Sequence, residues 1–257
     1  MADDRPDFPG WGVSVEGQVA VQLAEARRLV NEGRFDAAVG IAEELLDHDP
    51  EDIEALLLVA DVAPRYGHGE VGVLAARQAQ ALGAHVGAVE AAALFAACEF
   101  DEALEAADRC LLESPTDARA HAVRGQVLEV QGRLDEADEA LARANHLLPV
   151  AYPLPLPIGA DAWPPLLNAA FGRMEAGALR EVERWSWEWH PAPDPATLAS
   201  SQPPIPPTTI AVVSLQEDRE PVCAIFTRNL ARGCATEEEV VERLVVALTQ
   251  EAAQLAP

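Results

Sequence analysis

Apolar residues recur at helical spacing through most of the first 150 residues, and a short motif recurs with them. It reads Gly-Arg-Phe-Asp-Ala-Ala at 33–38, Glu-Phe-Asp-Glu-Ala at 99–103 and Gly-Arg-Leu-Asp-Glu-Ala at 132–137. Each copy is followed by an apolar-periodic stretch that ends at a proline, namely Pro50, Pro115 or Pro149. The pattern predicts pairs of antiparallel helices, because glycine ends one helix and proline stops the next.

The repeat length is about 34 residues, as measured from Pro115 to Pro149. A weaker copy lies between the motifs at 33–38 and 99–103. It has Gly72 at the place of the small residue and Ala84 at the place of the closing proline, so we expect it to pack irregularly. The step from Ala84 to Pro115 is only 31 residues, which predicts a shortened loop between the second and third copies. No unit can bury its apolar face alone, so we expect about four units to stack.

These residues resemble the tetratricopeptide repeat. The small residues that this repeat needs are present at its eighth position (Ala26, Ala60, Ala91, Gly125) and at its twentieth (Ala38, Ala103, Ala137). The resemblance implies an α-helical array over residues 19–151, preceded by an N-terminal extension of residues 1–18.

Arrays of this type present a concave groove to a protein or peptide partner. The repeat register places eleven residues in that groove: Leu23, Arg27, Val30, Leu57, Asp61, Arg65, Ala88, Ala92, Phe95, Gln126 and Glu129. The alternative is that many of these side chains pack between repeats. The set lacks the Lys and Asn residues with which some family members clamp the terminal carboxylates of chaperones.

The helical period stops at Pro149, and the proline-rich stretch 152–160 predicts an extended linker. Beyond it, the pattern predicts a small α+β module over residues 161–257. Its predicted elements are a helix at 163–183, a strand at 185–190, a loop at 191–207, strands at 208–215 and 222–226, and a helix from Thr236 onward. Trp185, Trp187 and Trp189 alternate in the first strand; core packing is one interpretation and an exposed aromatic strip is the other.

The end of this module, over residues 224–232, 236–240 and 248–254, is similar to the end of a small bacterial zincin-like metallopeptidase family. In that family the last helix contains His-Glu-x-x-His, whose two imidazoles bind one zinc ion. Here Gln250 and Gln254 occupy the histidine positions, and Glu251 is retained. An amide is a poor zinc ligand, and without metal Glu251 has no activated water to deprotonate. The resemblance therefore implies a pseudo-metallopeptidase with no metal and no cofactor.

An active hydrolase built around Glu251 is the competing hypothesis. It would use Gln250 and Gln254 as unorthodox ligands and draw on Cys223 or Cys234. The similarity to zincins can also arise by chance, because Gln-Glu-Ala-Ala-Gln is an ordinary helical string.

Charge narrows the choice of partner. The chain has 43 Asp and Glu against 18 Lys and Arg, all of them Arg, and a formal charge of -25. This predicts that neither nucleic acid nor an anionic membrane is a partner. The acidic start and the lack of a long apolar run lead us to expect a cytoplasmic protein. The sequence thus predicts a non-enzymatic adaptor that binds a protein in the repeat groove and uses the module as a second docking surface.

Overall fold

A computed structural model of the protein describes residues 15–200, 205–215 and 220–255. Within these residues the chain begins with four antiparallel helical hairpins. Their helices are α1 (Val15–Asn31), α2 (Phe35–His48), α3 (Ile53–Val62), α4 (Gly69–Ala81), α5 (Gly87–Ala96), α6 (Phe100–Glu113), α7 (Ala118–Val130) and α8 (Leu134–Leu147). The prediction of a helical array is confirmed. Most of the N-terminal extension predicted for residues 1–18 lies outside the described residues, and α1 already begins at Val15.

Small residues allow the helices to approach closely, as the repeat pattern predicts. Six of the seven marker residues are alanines, and all six are fully buried. The seventh, Gly125 of α7, lies so close to α8 that a methyl group added there would be 2.6 Å from Cγ of Leu141. The turns between paired helices use the left-handed conformation, at Gly33 (φ 72°), Gly132 (φ 74°) and, in the third hairpin, Cys98 (φ 62°).

The second repeat is irregular, as predicted, and Pro64 is the reason. It ends α3 after ten residues, and the chain continues as a 3₁₀ turn over Ala63–Tyr66. Gly72 of α4 lies directly against the Pro64 ring, where an added methyl group would be 2.6 Å from Cγ. A glycine at this position therefore accommodates the proline.

The shortened loop predicted between the second and third repeats is wrong. Residues 82–86 still connect α4 to α5, and the missing residues are taken from α5 itself, which has 10 residues against 13 in α7. The spacing between prolines reports only the summed length of helix and loop, so it cannot say which of them is shorter. The third repeat loses about one turn of its first helix.

The C-terminal module contains a three-stranded sheet and flanking helices. Its elements are α9 (Trp163–Phe171), α10 (Ala176–Val182), β1 (Ser186–His190), α11 (Pro195–Ser200), β2 (Ala211–Ser214), β3 (Val222–Phe226), α12 (Thr227–Ala231) and α13 (Glu237–Leu255). The strand order is β1-β3-β2. The central strand β3 pairs parallel with β1 and antiparallel with β2, so that Cys223 lies opposite both Trp187 and Val213. Helix α13 packs against α9, α10 and β2.

The alternating tryptophans belong to the core of this module. Trp185 is buried, and Trp187 and Trp189 pack against the same apolar cluster. Trp189 stacks on Trp163 of α9 with ring centroids 5.6 Å apart. The core-packing interpretation is therefore confirmed, and the exposed aromatic strip is not.

Two predicted elements of the module need correction. The continuous helix predicted at 163–183 breaks after Phe171, because Gly172 ends α9. The predicted loop at 191–207 contains α11, which Asp194 caps by accepting a hydrogen bond from the Thr197 N–H at 3.0 Å. An Asp followed by a proline is a helix-start signal, and it was present in the sequence. The strand predicted at 208–215 is shorter, at Ala211–Ser214.

The predicted linker is extended but attached to the module. The Leu156 N–H donates to the Ala231 carbonyl oxygen at 3.0 Å, and the Gly233 N–H donates to the Leu154 carbonyl oxygen at 3.2 Å. These bonds hold residues 154–156 beside the end of α12. In the described part of the chain, no helix combines the length and apolar composition that crossing a membrane requires.

Candidate partner-binding groove

Five of the eleven predicted groove residues line one cavity of about 640 Å³. These five are Asp61, Arg65, Ala92, Phe95 and Gln126. They come from α3 and the turn that follows it, from α5 and from α7, which are the first helices of three successive repeats. Residues 206–209 of the C-terminal module also line this cavity. We call this space the groove cavity.

The groove cavity combines apolar walls with paired charges. Arg65 and Arg119 both form ion pairs with Asp61, and the Arg65–Asp61 distance is 3.4 Å. The Arg65 guanidinium also lies over the Phe35 ring, 5.8 Å from its centroid. Two arginines and one aspartate line the cavity, which leaves one net positive charge in a protein whose formal charge is -25. Ala92 is half-buried and Phe95 is 7% exposed, and both line the cavity beside these charges. The arrangement suits a peptide segment that offers apolar side chains and a carboxylate.

Five other predicted groove residues lie elsewhere. Leu23 and Arg27 line a second concavity, of about 1150 Å³, at the N-terminal end of the array. Val30 and Leu57 pack against the core of the first two repeats. Ala88 is buried with Cys110 and Ala120. Leu23 is also buried in the core of the first two repeats, and Phe95 is buried in the core of the next two. The alternative of packing within the array therefore agrees with the structure for five residues: Leu23, Val30, Leu57, Ala88 and Phe95.

The eleventh residue, Glu129, is turned toward the C-terminal module. Its carboxylate accepts hydrogen bonds from Arg228 and Arg232, and its side chain is 3% exposed. Arg228 also donates to Asp138 of α8. The sequence pattern did not identify the partners of Glu129, since both arginines lie about 100 residues further along the chain.

The two arginines of this cluster differ in their surroundings. The pKa of Arg228 is raised overall. Burial alone would lower this pKa, but the hydrogen bond with Asp138 and the charge of Glu129 have the larger combined effect. For Arg232, burial dominates and lowers the pKa, although Glu129 opposes the change. An arginine remains charged across the physiological range in both cases. The cluster therefore fastens the module to α7 and α8 through charged hydrogen bonds.

The vestigial metallopeptidase positions lie on α13. Gln250 and Gln254 are exposed, and Glu251 is half-buried. Burial raises the pKa of the Glu251 carboxyl, and a hydrogen bond from the Val213 backbone N–H opposes this. Within the residues that the structure describes, no three His, Cys, Asp or Glu side chains are grouped to hold a metal ion.

The two cysteines named in the hydrolase hypothesis are both buried. Burial raises the pKa of the Cys223 thiol to about 12, and the charge of Glu251 adds to the effect. Burial also raises the pKa of Cys234, whose thiol donates to the Leu230 carbonyl oxygen at 3.5 Å. Because the thiolate is the nucleophilic form, neither environment activates a cysteine.

Comparison with known proteins identifies the repeats. Two tetratricopeptide-repeat family models match residues 19–62 and 88–149. Both matches end before residue 150, so they lend no support to a zincin-like module. No curated protein matches the chain.

Several solved structures are similar to the protein. The thermophilic tetratricopeptide protein TTC0263 of Thermus thermophilus is 24% identical over 51% of this chain and 74% of its own, with a TM-score of 0.47. MamA of Desulfovibrio magneticus RS-1 is 19% identical over 54% of this chain and 78% of its own (TM-score 0.42). YrrB, described as having an unusual peptide-binding site, is 18% identical over 50% of this chain and 68% of its own (TM-score 0.39). All three scores are below 0.5, and the repeat assignment rests on the family models and the helix geometry.

Proposed function

Because residues 19–62 and 88–149 form tetratricopeptide repeats, we propose that this protein is a non-enzymatic adaptor that binds a segment of a partner protein in the groove cavity. Stacked repeats of this kind present concave surfaces to partners. The main support is the composition of the cavity: Phe95 and Ala92 lie beside Arg65 and Arg119, on helices from three repeats. Together these groups offer an extended peptide both apolar contacts and a charged anchor.

The C-terminal module serves, in this proposal, as a second docking surface with a pseudo-metallopeptidase fold. The proposed lack of chemistry draws support from Gln250 and Gln254, which are amides at the positions that are histidines in the zincin-like family, and from Cys223, whose burial raises the pKa of its thiol. The formal charge of -25 favours a protein over nucleic acid or an anionic membrane as partner.

Affinity capture with a groove variant tests the adaptor function. Ala92→Arg places a long cationic side chain in the groove cavity, and Ala81→Arg makes the same change at an exposed site on α4. Each tagged full chain is expressed in the native host, and captured proteins are identified by mass spectrometry. We expect the wild type and Ala81→Arg to retain the same partner and Ala92→Arg to lose it. Equal recovery by both variants, or no reproducible partner, would contradict the proposal.

Metal analysis tests the non-enzymatic part. Purified wild-type protein is expected to contain no stoichiometric zinc, and the finding of one zinc per chain would favour the hydrolase hypothesis. The double variant Gln250→His, Gln254→His is expected to gain measurable zinc affinity if α13 keeps a zincin-like setting. Failure to gain it would count against kinship with zincins while leaving the adaptor function intact.

A further inference from the structure

Two described stretches of the C-terminal module, residues 191–200 and 205–210, contact the repeat array through Leu198 and Ile205. We call these two stretches together the groove loop; residues 201–204, between them in the sequence, lie outside the described residues. Leu198, on α11, is fully buried in an apolar cluster with residues of α5, α6 and α7. Ile205 packs against the same cluster. Residues 206–209 line the groove cavity together with residues of the array. The module thus covers part of the surface that the repeats would offer to a partner.

The ends of the groove loop are bonded to the module. The Asn229 side-chain amide donates to the carbonyl oxygens of Pro207 and Thr209 at 2.9 and 2.8 Å. The Phe226 N–H donates to the Ile210 carbonyl oxygen at 2.8 Å. At the other end, the Arg228 N–H donates to the Pro191 carbonyl oxygen at 3.0 Å. Both ends of the groove loop are therefore bonded to the module, and two aliphatic side chains between them pack against the array.

The contact of the groove loop with the array is mainly apolar. Leu198 and Ile205 provide buried hydrocarbon, and the thiol of Cys98 donates to the Ile205 carbonyl oxygen at a long 3.8 Å. Apolar contacts are non-directional, so another segment with similar side chains can replace them. A thiol is a weak donor and adds little to hold the loop in place.

The third repeat differs from the others where the groove loop meets it. Gly33 and Gly132 take the left-handed conformation in the first and fourth hairpins, but Cys98 takes it in the third, with φ 62°. A residue with a Cβ atom is disfavoured in this conformation relative to glycine. The thiol of Cys98, which a glycine would lack, contacts Ile205. The departure from the repeat pattern thus coincides with the docking site of the groove loop.

We propose that the groove loop is an internal ligand of the third and fourth repeats, which a partner segment must displace to reach their concave face. The displacing segment contains proline and two aliphatic side chains spaced in sequence like Leu198 and Ile205. This proposal rests on the proposed function in one respect, since it assumes that the partner binds to the concave face of the repeats. In most wild-type molecules the groove loop then occupies the concave face. The apparent affinity for a partner segment is reduced because only a small fraction of the molecules has this face free.

A peptide with the sequence of residues 195–209 tests the proposal without any partner protein. The fluorescently labelled peptide is titrated against full-length wild type, the opened variant Leu198→Asp, Ile205→Asp, and the control Leu215→Asp, which changes an exposed residue of the same module. We expect the opened variant to bind the peptide at least about tenfold more tightly than the wild type and the control. Adding Ala92→Arg to the opened variant should abolish binding.

Equal affinities in the wild type and the opened variant would overturn the proposal, as would binding that survives Ala92→Arg. If circular dichroism shows that the double aspartate variant has lost its helices, Leu198→Ala, Ile205→Ala takes its place, with the same direction expected. The peptide titration and the affinity capture can fail separately. The opened variant can fail to bind the peptide more tightly even though a partner protein is captured, and it can bind the peptide more tightly even though no partner protein is captured.

Discussion

The carboxylate of Glu129, on α7 of the repeat array, accepts a hydrogen bond from Arg232, which follows α12 in the module. Their side chains are 3% and 18% exposed, so the pair is largely removed from water. A buried ion pair is weak support for net stability, but loss of one partner leaves the other charge buried and uncompensated. This pair, together with Arg228, is the polar junction between the two halves of the protein.

Substitution of Glu129 by Gln is expected to lower the free energy of unfolding by about 3–5 kcal/mol, because two arginines lose their buried counter-charge. The control is Asp138→Asn, which removes the partner of Arg228 that is 60% exposed. Exposed ion pairs contribute about 0–1 kcal/mol, so the control should change little. Urea denaturation of both variants measures the difference. Equal losses would mean that burial of Glu129 does not govern the junction.

The sequence predicts the array better than it predicts the junction, for a physical reason. Helix pairing depends on residues a few positions apart, so periodicity reveals it. The contacts of Glu129 with Arg228 and Arg232 join residues about 100 positions apart and follow no period. The same holds for Leu198, whose burial against α5 and α7 depends on how the module sits on the array.

That the eleven groove residues bind a partner stays a prediction, and where each of them lies depends on how regular the repeat is in side-chain direction. Ala92, Phe95 and Gln126 line the groove cavity because they occupy equivalent faces of α5 and α7. Ala88, at the start of the shortened α5, is buried in the core instead. No repeat register could show that residues 206–209 would complete the cavity, since they belong to another module.

Packing between α7 and α8 yields a second prediction. A methyl group added at Gly125 would lie 2.6 Å from Cγ of Leu141, which is closer than carbon atoms can approach. Gly125→Ala is therefore expected to reduce stability by about 1–3 kcal/mol. Ala137→Leu should overpack the same crossing to a similar extent. The control is Gly40→Ala in α2, where no atom lies within 4 Å of the new methyl group.

Gly40→Ala should raise the free energy of unfolding by about 0.5–1 kcal/mol, because alanine is a better helix former than glycine. Thermal denaturation of the two glycine variants therefore gives shifts of opposite sign. Stabilisation by both substitutions would show that α7 and α8 can separate to admit the methyl group.

Glu251 yields a prediction about pH. Burial raises its pKa in the folded protein above 4.5. The folded state then holds this proton more tightly than the unfolded state, so the associated stability is complete below pH 4.5 and is lost as the pH rises through the folded pKa. Glu251→Gln is neutral at every pH. It should raise Tm relative to the wild type at pH 7, and the advantage should disappear near pH 4.

The matched control is Glu242→Gln, at an exposed position on the same helix. It should shift Tm less at pH 7 and show a weaker dependence on pH. A Tm advantage of Glu251→Gln that is the same at pH 4 and pH 7 would mean that the burial of Glu251 is not its cause.

Cys223 yields a prediction about stability at high pH. Its side chain is fully buried on the central strand, and burial raises its pKa from 9.0 to about 12. Below pH 9 the thiol is protonated in both states. Above pH 9 the unfolded chain loses this proton while the folded chain keeps it, so the free energy of unfolding falls as the pH rises, by about 1.4 kcal/mol per unit.

Cys223→Ala removes this source of alkaline sensitivity, and its stability should decline less steeply between pH 9 and pH 11. Urea denaturation at each pH gives the slopes for the wild type, for Cys223→Ala and for Cys98→Ala, a control at a half-buried cysteine. Burial also raises the pKa of Cys98, but by less than that of Cys223, so we expect the control to keep most of the wild-type slope. Parallel slopes for the wild type and Cys223→Ala would show that the thiol already ionises in the folded protein. Since a thiolate is the nucleophilic form, that result would also restore Cys223 as a candidate for chemistry.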